Sequence, residues 1–270
     1  MKDHLLQITS TTSNEKRYNI AREYLQVYLL RLLHTAGAFR HLSFVGGTAL
    51  RLLHRLPRFS EDLDFSTVFL HEPNNPKTSF DVNALFSRLT RDLQAAGYNV
   101  STKAKSSRTV ASAFFRYIGI PYDIGWTKDQ RLSMQIKLEI DCEPPEGAVT
   151  EVTLMQKFYP VALRHNDLAS LFAGKIHAIL CRPYNKGRDW FDLVWFLTDK
   201  RILEPNLAML THALAQTHAP IHAVDWREAV CARLHSLDWA EVMTDLQPFL
   251  ERPDDLAHLE PALIEKALSL

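Results

Sequence analysis

The chain has 270 residues with 31 basic and 31 acidic side chains, so its formal net charge is zero, which removes the overall basic signature of many nucleic-acid binders. Hydrophobic residues make up 46% and charged residues 23%, enough to bury a sizeable core without disulfides or structural metals, and Cys142, Cys181 and Cys231 form no CxxC pair. No apolar run is long enough to span a membrane, and MKDHLLQITSTTSNEKR lacks the apolar core of a signal peptide, so a cytoplasmic protein with no membrane partner is expected.

In chain order, Thr12-Ser-Asn-Glu15 predicts a capping box opening a long amphipathic helix. Its apolar face carries Ile20, Tyr24, Val27, Tyr28, Leu30 and Leu33, and Gly37 is the expected stop. Leu42 to Val45 reads as a short strand ending in Gly46-Gly47, followed by a helix over Thr48 to His54 that Pro57 breaks. Asp62 to Phe65 alternates like a strand. Residues 71–79 read as a loop, with Ser79 capping a helix to about Ala96. Strands dominate between residues 98 and 155, most clearly Val110 to Ile118 and Met134 to Asp141. From Asn166 onward the pattern is helical, with Asp167–Leu180 and Gly187–Asp199 the clearest segments. The expectation is an α+β fold: a core over residues 1–160 and a helical domain over 161–270 packed on it, divided near Tyr159-Pro160.

The stretch FVGGTALRLLHRLPRFSEDLDFS, Phe44 to Ser66, holds the chemistry. Backbone without Cβ atoms at Gly46 and Gly47 approaches a phosphate closely, and the helix N-terminus at Thr48 offers free N–H groups. Fourteen residues separate Gly47 from Asp62-Leu63-Asp64. On a strand both carboxylates project to one side, which suits Mg²⁺ bridging substrate phosphates. Alone, the glycine pair reads as a turn and the DxD as a solvated strand edge; together they define a phosphate cradle beside a metal site.

A third acid comes from MQIKLEID. Met134, Ile136, Leu138 and Ile140 share one face of a strand; Gln135, Lys137, Glu139 and Asp141 share the other. Glu139 is the candidate third metal ligand, with Asp141 in reserve, although a strand with one wet face has the same pattern.

GGTALRLLHRLPRFSEDLDFS resembles the first motif of the AbiEii/AbiGii-type nucleotidyltransferase toxins of the DNA polymerase β superfamily. IKLEI resembles their second motif, with Glu139 where Asp is more usual, and DLASLFAGKIHAILCRPYNKGRDWFDLVWFL resembles the later ones. The resemblance implies a polymerase β-like core, a mixed sheet flanked by helices, and nucleotide contacts from Lys175, Arg188, Asp189 and Asp192. It also implies a toxin transferring NMP from an NTP, with tRNA 3′ ends as acceptors for some relatives. GTP or a pyrimidine NTP is the candidate donor. The antitoxin would be a separate protein, either a transcriptional regulator or kinase-like.

The later segment also has a reading from its own chemistry. Lys175, Arg182, Lys186 and Arg188 place four cations within fourteen residues, suited to a triphosphate. Arg188, Asp189 and Asp192 share a helical face, so an intrahelical ion pair is the competing reading. Trp190, Phe191, Trp195 and Phe196 read as core. His212, His218 and His222 lack a partner to complete a zinc set and read as surface or packing residues. Arg51, Arg55 and Arg58, and separately Lys103, Lys105 and Arg108, are candidate basic patches for RNA phosphates. Lys137 or Lys175 would contact the triphosphate. Other readings are a small-molecule (aminoglycoside-like) or protein nucleotidyltransferase, for which Asp189 and Asp192 would receive a cationic acceptor, or a non-catalytic nucleotide- or partner-binding protein.

Overall fold

A computed structural model describes residues 2–68, 80–199 and 203–269, so the expected 71–79 loop and the Ser79 cap lie outside the described residues. The chain divides into two compact units. The first draws on residues within 1–53, 60–143 and 152–165, and the second on residues within 54–59, 144–151 and 166–270.

The first unit holds helices α1 (Lys2–Ser10), α2 (Asn14–Thr35), α3 (Gly46–His54), α4 (Val82–Ala95) and α5 (Ile120–Asp123). Its strands are β1 (Leu42–Val45), β2 (Leu63–Thr67), β3 (Val100–Ser106), β4 (Val110–Ile118), β5 (Ser133–Asp141), β6 (Thr150–Lys157) and β7 (Tyr159–Asn166). They form one seven-stranded sheet in the order β3-β4-β5-β2-β1-β7-β6. The sheet is mixed: β2 runs parallel to β5 and β1 parallel to β7, while β1 and β2 are antiparallel. Tyr159-Pro160, where the core was expected to end, opens β7 beside β1. α4 is capped by Asp81, whose side chain accepts from the Ala84 N–H.

α2 differs from the amphipathic expectation in two respects. Ser13 occupies its N-cap without a side-chain hydrogen bond, so no capping box forms. Every residue from Ala21 to Leu30 is buried, including Arg22, Glu23 and Gln26. A helix enclosed on all sides needs partners for its polar groups, and Glu23, Gln26 and the Arg22 Nη1 have them, while Arg22 Nε is buried without one. Glu23 accepts from Arg51 at 2.7 Å and pairs with Lys157 at 2.6 Å. The helix closes as predicted, with Gly37 in the left-handed region at φ +74°.

The second unit contains α6 (Leu168–Cys181), α7 (Gly187–Asp199), α8 (Leu207–Gln216), α9 (Trp226–Leu234), α10 (Trp239–Leu246) and α11 (Pro261–Leu268). Trp190, Phe191, Trp195 and Phe196 are buried as expected. Phe196 stacks on Phe172 with ring centroids 4.3 Å apart, and Trp226 meets Phe172 edge-on. Each such ring contributes about 1.5–3 kcal/mol of burial. The segment His54–Phe59 joins this unit through the Phe59 N–H, which donates to the Phe249 carbonyl at 2.7 Å. No helix among the described residues is long and apolar enough to cross a membrane.

Candidate active site

Alternation along β2 sends Leu63 and Phe65 into the core and leaves Asp64 part-exposed on the other face, with Asp62 immediately before the strand. β5 repeats the arrangement: Met134, Ile136, Leu138 and Ile140 are fully buried, while Lys137 and Glu139 reach solvent. The two strands are in register with Asp64 opposite Glu139, and Asp141 opposite Ser66. Of the two candidate third acids, Glu139 is therefore the neighbour of Asp64.

Lys137 stands among these carboxylates and pairs with Glu139. Partial burial lowers its pKa, but the hydrogen bond and charge of Glu139, with Asp62 and Asp64, outweigh that and hold it above the usual lysine value. Glu139, Asp62 and Asp64 thus all favour the charged form of Lys137. Burial also raises the Asp141 pKa, with Glu139 and Glu143 adding to the effect.

Gly46 opens α3 at φ +79°. A Cβ there would lie 2.5 Å from Asp64 Oδ2, so glycine is required both by the backbone and by the carboxylate against it. The Asp64 carboxylate thus sits at the first residue of a helix, where free N–H groups and the positive dipole end are found. Gly47 and Thr48 are buried in the same turn, and the Thr48 hydroxyl donates to the Asp62 carbonyl.

α2 fixes the approach to Asp62 from its polar side. Gln26 Nε2 donates to the Ser60 and Glu61 carbonyls at 3.1 and 2.8 Å, and Arg22 pairs with Glu61 at 3.1 Å. Arg22 and Gln26 were not among the expected site residues. The available signal was a pair of polar side chains one turn apart on a helix otherwise rich in apolar residues.

The later motif residues come together in the second unit. Arg58 Nε and Nη2 donate to the two Asp192 oxygens, each at 2.6 Å. Lys175 contacts Asp189 at 2.9 Å and Asp192 at 2.6 Å, and Arg182 also pairs with Asp189. Asp192 is fully buried and Asp189 nearly so. Burial raises the Asp189 pKa, but Lys175, Arg182 and Arg58 prevail and hold it below the usual carboxylate value. The Arg188 guanidinium lies over the Phe249 ring, 4.1 Å from its centroid.

The expected Arg51, Arg55 and Arg58 patch is not a surface feature. Arg51 is buried against Glu23 and Arg58 against Asp192, leaving Arg55 exposed at φ +61°. Both buried guanidiniums found carboxylates far along the chain, which local charge spacing does not reveal. Lys103, Lys105 and Arg108 are exposed on and beyond the edge strand β3. His212, His218 and His222 are exposed.

A mixed sheet with paired acids on a strand beside a glycine-led helix defines a nucleotidyltransferase-type core. The family model "Nucleotidyl transferase AbiEii toxin, Type IV TA system" matches residues 28–262. The chain belongs to this family of type IV toxin–antitoxin nucleotidyltransferases. Among solved structures, a Helicobacter pylori protein provisionally named a nucleotidyltransferase is 20% identical, covering 90% of this chain and 94% of its own, with a TM-score of 0.50. JHP933 from Helicobacter pylori is also 20% identical, covering 93% of this chain and 87% of its own, with a TM-score of 0.44. At that identity the first of these bears on fold alone. A search of curated protein sequences finds no match.

Proposed function

We propose that this toxin transfers a nucleoside monophosphate from an NTP to a hydroxyl on RNA, with tRNA as the acceptor. The observation that carries the chemistry is the register of Asp64 with Glu139, beside a glycine at which the Asp64 carboxylate leaves no room for a Cβ. The three acids have the donor chemistry a divalent ion takes, all oxygen, with Asp64 and Glu139 in register on neighbouring strands and Asp62 just before one of them, although their oxygens are not gathered around a single point. Magnesium held by Asp62, Asp64 and Glu139 would neutralise the triphosphate and lower the pKa of the attacking hydroxyl.

The chain's own groups do the positioning. Backbone N–H groups at Gly46, Gly47 and Thr48 receive the β and γ phosphates, favoured by the α3 dipole. Lys137, charged throughout the neutral range, holds a nonbridging oxygen of the α phosphate. The acceptor oxygen bonds to the α phosphorus, the α–β bridging bond breaks, and pyrophosphate leaves with its electron pair; the hydroxyl proton passes to solvent. The tRNA assignment rests on the resemblance of the motifs to the toxin family, which also carries a separate antitoxin as counterpart.

Lys175, Asp189 and Asp192 enter differently, because each meets an opposite charge within the helical unit. We assign them to holding α6, α7 and the Arg58 segment together. This saturation also disfavours Asp189 and Asp192 as receivers of a cationic small-molecule acceptor. Lys175→Met tests the assignment: a lower Tm with unchanged KM for NTP supports it, whereas a raised KM at unchanged Tm restores a nucleotide contact.

The deciding experiment incubates the protein with Mg²⁺, each labelled NTP in turn, and total tRNA, beside Asp62→Ala/Asp64→Ala. Label moving to tRNA only with the intact acids is the expected result. Equal labelling by the double variant would overturn the site, and label appearing only on small molecules or protein would overturn the acceptor.

A further inference from the structure

A cavity of about 290 Å³ opens on the first unit directly beside Asp62 and Lys137. Besides those two it is lined by Tyr18, Arg22, Glu61, Phe114, Ser133 and Gln135, and by none of Gly46, Gly47, Thr48 or Asp64. The two aspartates of the DxD motif therefore face different neighbours. Asp64 lies against the start of α3, and Asp62 opens onto the cavity.

The character of this lining is unusual for the wet face of a strand. Along β4, Ala111, Ala113, Phe115 and Tyr117 turn inward and are fully buried, which sends Phe114 outward with Ser112 and Arg116. Phe114 is 37% exposed, stands opposite Lys137 in register, and has the Lys137 ammonium 6.0 Å from its ring centroid. On the α2 side, the Tyr18 ring lies 4.8 Å from that of Trp126, itself 45% exposed, and the Arg22 guanidinium lies 5.0 Å from Tyr18. Arg22 Nε is buried without a hydrogen-bond partner. Aromatic faces are how proteins hold unpaired bases, whose π-faces stack; the cations here are paired with carboxylates, Arg22 with Glu61 and Lys137 with Glu139, so it is the rings that carry the recognition.

Resting on the transferase reading, we propose that this cavity seats the terminal nucleoside of the acceptor: an unpaired, unstacked nucleotide at a free RNA end. The argument for acceptor over donor is directional. Displacement at phosphorus runs in line, so the attacking oxygen enters opposite the departing pyrophosphate. With the β and γ phosphates at α3 beside Asp64, the entry side is that of Asp62, where the cavity lies. The terminal ribose hydroxyl of the seated nucleotide forms the new O–P bond. The NTP supplies the phosphoryl group and releases pyrophosphate, and the hydroxyl proton goes to solvent. Phe114 and Tyr18 give stacking surfaces for the base, and Arg22 and Gln135 give hydrogen-bond donors.

The test is fluorescence anisotropy of a short single-stranded oligoribonucleotide, labelled at its 5′ end, with the full chain and with Phe114→Ala, Tyr18→Ala and Phe114→Trp. Each alanine variant should weaken binding about 5- to 100-fold, and the tryptophan should retain it. NTP affinity without RNA should stay unchanged, as should the melting temperature. A blunt duplex of the same sequence, whose terminal bases are paired, should bind clearly less well. Unchanged RNA affinity in the alanine variants, equal binding of the duplex, or weakened NTP binding with RNA binding intact would each overturn the proposal; the last would make the cavity the donor's base site. RNA binding that depends on Phe114 in a protein that transfers no nucleotide would support the site while sinking the transferase reading. Transfer to RNA that is indifferent to Phe114 and Tyr18 would do the reverse.

Discussion

Two pairs of aspartates, Asp62 with Asp64 and Asp189 with Asp192, have nearly the same sequence signature and opposite surroundings. The first pair lies at the solvent-reaching face of a strand, beside a lysine held more basic by the acids near it. The second lies within a helical core, where Arg58, Lys175 and Arg182 meet both carboxylates. A part-exposed negative field has work left to do on a cation or a phosphate. A buried network whose charges are matched has done its work once the chain is folded. Acidic spacing alone does not separate the two; burial and the origin of the counter-charges do.

The comparison breaks most forcefully at Arg58. Arg58→Met leaves Asp192 buried without its bidentate partner and should cost about 3–5 kcal/mol in urea unfolding. Arg58→Met/Asp192→Leu should recover much of that loss, since an apolar pair of similar volume is tolerated where half an ion pair is not. At the other pair, Asp64→Asn should lower transfer by at least about a hundredfold with little change in the unfolding midpoint. A large loss of stability there would make Asp64 structural and erase the contrast.

Gly46→Ala is the subtler break, because it disturbs the carboxylate without touching its charge. The positive φ and the contact with Asp64 should cost about 1–3 kcal/mol and bring transfer close to the level of Asp64→Asn. Full activity would show that the carboxylate position is unimportant. The smallest effect is in pH dependence. The folded pKa of Asp189 lies below its usual value of 3.8, so its contribution to stability is complete above the unfolded carboxylate range and is lost as pH falls through the folded value. Urea midpoints should therefore decline below about pH 4 more steeply for the native chain than for Asp189→Asn.

What the sequence disclosed depended on whether the responsible physics was local. The alternation over Met134 to Asp141 reported both faces of β5, and the glycine pair before an apolar helical run placed α3 and its cradle. The helical spacing of Trp190, Phe191, Trp195 and Phe196 likewise reported a core. Pairing across the chain was not legible. The apolar spacing of α2 did not reveal that Glu23 and Gln26 are buried as well, because Arg51 and Ser60, their partners, lie 28 and 34 residues away. Arg51 and Arg58 looked like a patch for the same reason. β7 was missed because Pro160 and neighbouring aromatics resemble a boundary, whereas its place is set by pairing with β1, more than a hundred residues earlier in the chain.

The Arg58–Asp192 pair joins residues 134 positions apart, and Arg58 lies only four residues before Asp62 on the way into β2. During synthesis the ribosome must therefore deliver the guanidinium long before its counterion. A nascent chain halted by a premature stop codon ahead of residue 192 would carry the DxD strand and its hold on α2, but with the Arg58 guanidinium lacking its counterion. For a toxin this has a genetic consequence: interrupted translation yields an incomplete product, and frameshifts well downstream of the acids should silence the gene as thoroughly as changes within them.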